Sequence, residues 1–252
     1  MDAPYRAVFL QRGGGGRPVT ETLWPGGPQL NTDAAFPLST DSVLLAHFAA
    51  PLRARRILDL GCGSGVLALL LARSHPGAEV GGVELLPEAA ARCRENFEMN
   101  GLDPAGVRNA DLRECRSLYA PGRFDLVVSN PPYFPLGRGY SAPEASRAAA
   151  RDERNCTLDE LCAAAAYLTR WGGAFALVHR PERLSELCCT LSRHRLEPKR
   201  LRLVHYRPGD APNLLLLETR RGGKPGLNIE KPLLLTDGQG GDSAEMKAVY
   251  HR

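Results

Sequence analysis

No hydrophobic run in this 252-residue chain approaches the length of a membrane-spanning helix. The amino terminus also lacks the basic, apolar and small-residue succession of a secretory leader. Cysteine is present without pattern. There are seven, an odd number, with no C-x2-C pair. That argues against a disulfide framework or a zinc site, and for reduced thiols in a cytoplasmic protein. Charge of one sign is not in excess either: 32 Lys and Arg stand against 28 Asp and Glu. A net +4 does not by itself make a nucleic-acid binder. There is no internal repeat. What remains is 43% hydrophobic residues over a length that suits one sizeable α/β domain with short additions.

The patterning predicts strands at about 55–60, 78–84, 105–111 and 124–129, with helices at about 65–74 and 87–100 between them. Thr40-Asp41 reads as the N-cap of a helix over Ser42–Ala50. Further on, a helix is expected at 157–170, ended by Gly172-Gly173, then a strand at 174–180 and a helix at 181–194. Two apolar runs, 200–206 and 213–219, read as an antiparallel pair. The expected organisation is an irregular extension over 1–38, a domain over 39–222, and a tail over 223–252 packed on it. Leu233–Leu235 is the tail's one apolar run. Gly13–Gly16, between Arg12 and Arg17, reads as a loop or a phosphate nest. Residues 134–156 have no periodic pattern, and so long a loop is usually functional or disordered.

Asn130-Pro131-Pro132-Tyr133 is the most informative segment. It follows the apolar run Phe124–Ser129 and so falls at a strand's carboxyl end, where open α/β sheets collect ligands. Asn130 precedes proline and is pushed towards extended backbone. The two prolines fix φ and carry no N–H. The Asn130 side-chain oxygen and the Pro131 carbonyl can both accept from one planar amine, and Tyr133 can stack on the ring bearing it. The plain alternative is a Pro-rich turn with a chance tyrosine.

Upstream, Ile57-Leu-Asp-Leu-Gly-Cys-Gly-Ser-Gly65 runs from strand into helix. Its glycines at 61, 63 and 65 do not have dinucleotide-fingerprint spacing. They let a ligand approach the backbone, and the following helix N-terminus favours an anionic group. Glu84 and Asp111 end the next two apolar runs; taken singly, such acids are usually solvated strand ends. Cys62 reads as a small filler of the turn.

In this order the residues resemble the class I S-adenosylmethionine (SAM)-dependent methyltransferases. The resemblance implies a Rossmann-like α/β fold with a seven-stranded, mostly parallel sheet and an antiparallel final strand. It implies SAM as cofactor, bound by Asp59, Gly61, Gly63, Gly65, Glu84, Asp111 and Asn130, with Asp41 nearby. Glu84 matches the acid for the ribose hydroxyls and Asp111 the acid for the adenine amine. Asn130, Pro131, Pro132 and Tyr133 match the catalytic motif of the amino-methyltransferases, which act on adenine N6 or glutamine N5.

Three further segments, Phe36–Phe48, Ala150–Glu153 and Leu196–Val204, are similar to the bacterial family that methylates adenine 37 of a valine tRNA. That implies a tRNA partner; separately, no metal is expected, and the chain is expected to be a monomer. Tyr133, Phe134, Arg138, Arg147 and Arg151 are the expected substrate and RNA contacts. A glutamine N5-methyltransferase acting on release factors is the alternative, although those enzymes usually carry a helical domain before the glycine motif. A non-catalytic SAM- or RNA-binding protein is a third reading. The basic run Arg193–Arg202 reads either as a phosphate-binding surface or as a solvated face.

Overall fold

The structure, a computed structural model, describes residues 19–32, 39–132 and 156–250. In chain order these form β1 (Val19–Thr22), β2 (Gln29–Thr32), α1 (Thr40–Ala49), β3 (Arg56–Leu60), α2 (Val66–Ser74) and β4 (Glu79–Glu84). Then come α3 (Pro87–Met99), β5 (Val107–Asn109), α4 (Cys115–Leu118), β6 (Phe124–Ser129), α5 (Leu158–Leu168) and β7 (Thr169–His179). The last elements are α6 (Leu184–Arg193), β8 (Leu196–His205), β9 (Pro212–Arg221), β10 (Asn228–Ile229), β11 (Leu233–Leu234) and α7 (Ala244–Val249).

Seven strands run β5-β4-β3-β6-β7-β9-β8 across one sheet. Those from β3 to β7 are parallel, and β9 lies antiparallel between β7 and β8. The two-residue strands β10 and β11 add parallel to the outer edge of β8.

Side chains alternate across a strand, and the core divides accordingly. Ile57, Leu126, Val128, Ala176 and Leu216 point into the layer shared with α1, α2 and α3. Leu58, Leu60, Val127, Phe175 and Leu217 point into the layer shared with α5 and α6. Strands buried on both faces read as continuous apolar runs, which is why the central strands were legible.

Several boundaries differ from expectation, each for a physical reason. The N-cap of α1 is Ser39, whose hydroxyl accepts from the Asp41 N–H at 3.2 Å. Gly172-Gly173 does not end a helix. Helix α5 stops at Leu168, and the glycines lie within β7, whose pairing with β6 skips from Thr169 to Ala174. Gly172 has φ +73°, and a Cβ on Gly173 would lie 2.9 Å from the carbonyls of Arg170 and Asp125. The pair makes a bulge.

Strand β8 begins four residues earlier than expected, with Pro198 beside a register shift. Pro181–Arg183 is a 3-10 turn ahead of α6.

Within the stretch expected to be irregular, β1 and β2 form an antiparallel hairpin. It is held by the buried Asn96 of α3, whose Oδ1 accepts from the Asn31 N–H at 2.7 Å. Asn100 adds a reciprocal pair with the Gln29 backbone at 2.9 and 2.7 Å. The tail is ordered through β10, β11 and α7, with Leu233, Leu235, Met246 and Val249 buried.

The basic run Arg193–Arg202 is largely committed to ion pairs within the fold. Arg193 meets Asp159. Arg200 meets Glu218 and Glu230 and stacks over Phe48 at 4.0 Å. Arg202 grips Glu245 of α7. Among the described residues, no helix is long and apolar enough to cross a membrane. All seven cysteines carry free thiols.

Candidate active site

The site forms where β3 and β6 lie side by side, with Asp59 paired to Val128. The Ser129 hydroxyl donates to the Leu60 carbonyl at 2.8 Å, locking the two carboxyl ends together. The next residues are Gly61 on one strand and Asn130 on the other.

Beyond β3 the chain turns through Gly61, Gly63 and Gly65, with φ of +74°, +53° and +89°. This is backbone that L side chains rarely adopt. At Gly65 a Cβ would also fall 2.6 Å from the Cys93 sulfur. At Gly61 and Gly63 it would meet nothing within 4 Å, so the turn's backbone is open to a ligand.

The turn is anchored to β4. Gly61 and Cys62 N–H both donate to the Val83 carbonyl, at 2.8 and 3.1 Å. Glu84 accepts from Gly63 N–H at 2.8 Å with one oxygen and from Leu86 N–H at 2.9 Å with the other. Cys62 turns inward to Cys93, sulfur to sulfur at 3.7 Å. That contact, with burial as the lesser cause, raises its thiol pKa well above the ordinary range, so it is packing and not a nucleophile.

Behind the turn, Asp59 is 2% exposed, and its Oδ1 has no hydrogen-bond partner among the described residues. Burial, with the Glu84 charge as the lesser cause, pushes its pKa to about 8.

Two adjoining cavities converge here. The larger, about 420 Å³, has an apolar wall including Leu60, Val83, Leu85, Leu86 and Leu112. Asp41, Glu84, Asp111, Ser129, Asn130, Pro131 and Pro132 are set into it. The smaller, about 240 Å³, lies over the glycine turn and the start of α2, lined by Asp59, Gly63 and Ser64. Ser39, Gly61 and Asn130 line both. Asn130 Nδ2 donates to the Ser42 hydroxyl at 3.0 Å, which tethers the amide at the junction of the two cavities. Asp111 caps the turn over 112–114 by accepting from Arg113 N–H at 2.9 Å, and also pairs with the Arg113 guanidinium. The guanidinium holds its carboxyl below the usual range.

The structure therefore brings together Asp41, Asp59, Gly61, Gly63, Glu84, Asp111, Asn130, Pro131 and Pro132. Gly65 packs one residue behind, against Cys93. Tyr133, Phe134, Arg138, Arg147 and Arg151 lie outside the described residues.

Sequence reasoning missed Ser39, Ser42, Ser129 and His179. The last ends β7, fully buried, on the cavity wall. Its Nδ1 accepts from the Arg180 N–H at 2.8 Å, so in the neutral ring the proton sits on Nε2. Burial, with Arg183 nearby, lowers its pKa to about 4. The signal that could have found it is its position at a parallel strand's carboxyl end.

Residues 39–144 match the family model of the methyltransferase small domain. Among solved structures, a predicted O-methyltransferase from Agrobacterium tumefaciens shares the fold, with a TM-score of 0.67 and 23% identity over 84% of this chain and 96% of that one. The T. thermophilus 16S rRNA N2 G1207 methyltransferase, solved with SAM and guanosine, gives a TM-score of 0.53 and 25% identity over 81% of this chain and 50% of that one. The fold and the glycine turn define a class I SAM-dependent methyltransferase.

The residues present fit that cofactor. A buried carboxyl oxygen of Asp59 lacks a partner among the described residues, the glycine turn is open, and the two cavities together have the volume of a small-molecule site. At the level of sequence, the tRNA1(Val) (adenine(37)-N6)-methyltransferase of Porphyromonas gingivalis is 36% identical over 75% of this chain and 76% of its own length. The enzyme of the same name from Aeromonas hydrophila is 34% identical over 75% and 78%. The chain belongs to this tRNA1(Val) (adenine(37)-N6)-methyltransferase family.

Proposed function

We infer that this protein transfers the methyl group of SAM to N6 of an adenine in tRNA, namely adenine 37 of tRNA1(Val), the position in its relatives' names. The single observation carrying the reading is the placement of Asn130-Pro131-Pro132 at the end of β6, beside the glycine turn, in a chain of this family.

When bound, SAM supplies a methyl group activated by its sulfonium. The protein's own tasks are to orient and to stabilise charge. We assign Gly61, Gly63, Gly65 and Asp59 to the cofactor's amino-acid end. The unpartnered Asp59 oxygen supports this. Glu84 is assigned to the ribose hydroxyls: each of its oxygens accepts one backbone N–H, and a carboxylate oxygen has capacity for a second. Asp111 is assigned to the adenine amine and Asp41 to the cofactor's neighbourhood.

At the target base, the Asn130 oxygen and the Pro131 carbonyl accept from the N6 amine and favour its move towards tetrahedral geometry. Tyr133 stacks on the base, with Phe134, Arg138, Arg147 and Arg151 assigned to the RNA. The amine's proton becomes acidic once the nitrogen is methylated, so no side-chain base is assigned. Because the cofactor supplies the activation, we assign no metal. We further take the enzyme to be a cytoplasmic monomer; light scattering on a sizing column checks the second point.

The test is incubation with isotope-labelled SAM and undermodified total tRNA, with a release factor offered in parallel. Label found as N6-methyladenosine at position 37 is the expected result. Label on a release-factor glutamine overturns the reading.

A further inference from the structure

The amino ends of the parallel strands, opposite the cavities, carry an exposed tryptophan among arginines. Trp171 sits in the β7 bulge and is 62% exposed, the most exposed aromatic among the described residues that pack in the fold. Its ring is not loose. A Cβ on Gly222 would fall 2.2 Å from Cζ2, so the ring lies directly on the backbone at the end of β9. Arg170 donates to the Trp171 carbonyl at 3.3 Å and Arg220 to the Gly172 carbonyl at 3.4 Å, bracing the bulge from both sides. The Gly222 N–H donates to the Arg195 carbonyl at 2.8 Å, which brings the start of β8 to the same place.

The same end of the sheet carries Arg55 before β3, Arg123 before β6, Arg170 in β7, Arg195 before β8, and Arg220 and Lys224 at and beyond the end of β9. Three acids at this end are committed to these cations or to their backbone. Asp125 accepts from the backbone N–H groups of Arg55 and Arg56 at 3.0 and 2.9 Å and from Arg170 at 2.6 Å. Glu79 pairs with Arg123. Glu218 accepts from the Arg220 guanidinium at 3.0 Å, and Glu197 lies at the start of β8. Arg55, Arg195 and Lys224 are exposed and take part in no ion pair among the described residues. A rigid aromatic face within a cationic surround is how proteins hold nucleic acid: the cations engage phosphates and the ring stacks on a base or sugar.

We propose that this rim is a second RNA-binding surface, which holds a part of the tRNA distant from the reacting adenine. The proposal rests on the tRNA reading of the active site. Strand β6 spans six residues, about 20 Å, between the two ends of the sheet. A tRNA is large enough to reach both, and a lone base is not. The rim would therefore give affinity for the whole substrate without touching the chemistry.

The test uses the full chain and undermodified tRNA. Among the two tryptophans, Trp24 is 8% exposed, so tRNA should quench the emission of Trp171 selectively. Quenching should disappear in Trp171→Phe. Trp171→Ala should raise KM for tRNA about tenfold, with kcat and SAM affinity unchanged. Replacing Arg195 and Lys224 together with alanine should flatten the salt dependence of tRNA binding by nearly two charges' worth of slope. Unquenched Trp171 emission, with KM and salt slope unmoved in the variants while the wild type methylates tRNA, overturns the rim and leaves the active site standing. A wild type that methylates only a non-RNA substrate overturns the active-site reading itself, and the rim with it.

Discussion

Asn130 and Asp59 do opposite things with their polar atoms, and that contrast makes the residue scale testable. The amide of Asn130 is tethered to Ser42 at the junction of both cavities. Asn130→Ala should reduce methyl transfer by ~100-fold or more, the effect of deleting one oriented hydrogen-bonding group. Cofactor affinity should stay nearly intact. Labelled-methyl kinetics and a binding titration measure the two separately, and full activity in the variant would sink the mechanism.

Asp59 holds a proton that the unfolded chain would have lost, since its pKa moves from 3.8 to about 8. The native state then binds more protons between those values, and stability falls as pH rises through them. His179 acts with the other sign. Its pKa falls from 6.5 to about 4, so the unfolded chain takes up the proton first and stability is lost as pH drops below 6.5. The two oppose each other below pH 6.5, and between 6.5 and 8 only Asp59 acts. Denaturant unfolding of the cofactor-free protein should show stability declining across that interval. Asp59→Asn should flatten the decline, and an unchanged slope in the variant would reject the burial argument.

At the scale of elements, the glycine turn was legible because its residues answer to local rules: positive φ and close approach. Its support was not. Gly82 in β4 gives room to Cys62; a Cβ there would lie 2.5 Å from the sulfur. Gly82→Ala should cost about 1–3 kcal/mol through overpacking, read as a lowered denaturation midpoint.

The hairpin was missed for a related reason. Its hold on α3 comes from Asn96 and Asn100, more than sixty residues away, and nothing in residues 19–32 announces such partners. Asn96 also donates to the Ser64 carbonyl at 2.8 Å, so one buried amide joins hairpin and glycine turn. Asn96→Ala should leave both backbone partners unsatisfied at about 1–3 kcal/mol. Hydrogen exchange should then quicken in the hairpin and the turn together; faster exchange in only one of them would deny the link. The Gly172-Gly173 bulge misled in the other direction. Two glycines after an apolar helix look like a stop signal, and only the skipped register with β6 reveals a strand that has already begun.

For the whole molecule, the order of motifs carried most of what could be read: glycine turn, two acids at strand ends, Asn-Pro-Pro at the fourth. Each answers to a strand's carboxyl end, so the site could be assembled before the strands were placed. The basic run Arg193–Arg202 could not be resolved that way. Its partners Glu218, Glu230 and Glu245 come from β9 and the tail, and charge along a sequence does not tell an internal pair from an exposed surface.

The short strands of the tail have one more effect. A ten-residue outer strand such as β8 would offer its unpaired backbone groups to another chain. Strands β10 and β11 occupy that edge at Arg200-Leu201 and Val204-His205, and the opposite edge is only the three residues of β5. The tail should therefore guard against self-association during heating and refolding. A chain ending after Arg221 should scatter light on warming well before the intact protein does, through strand-to-strand growth from β8.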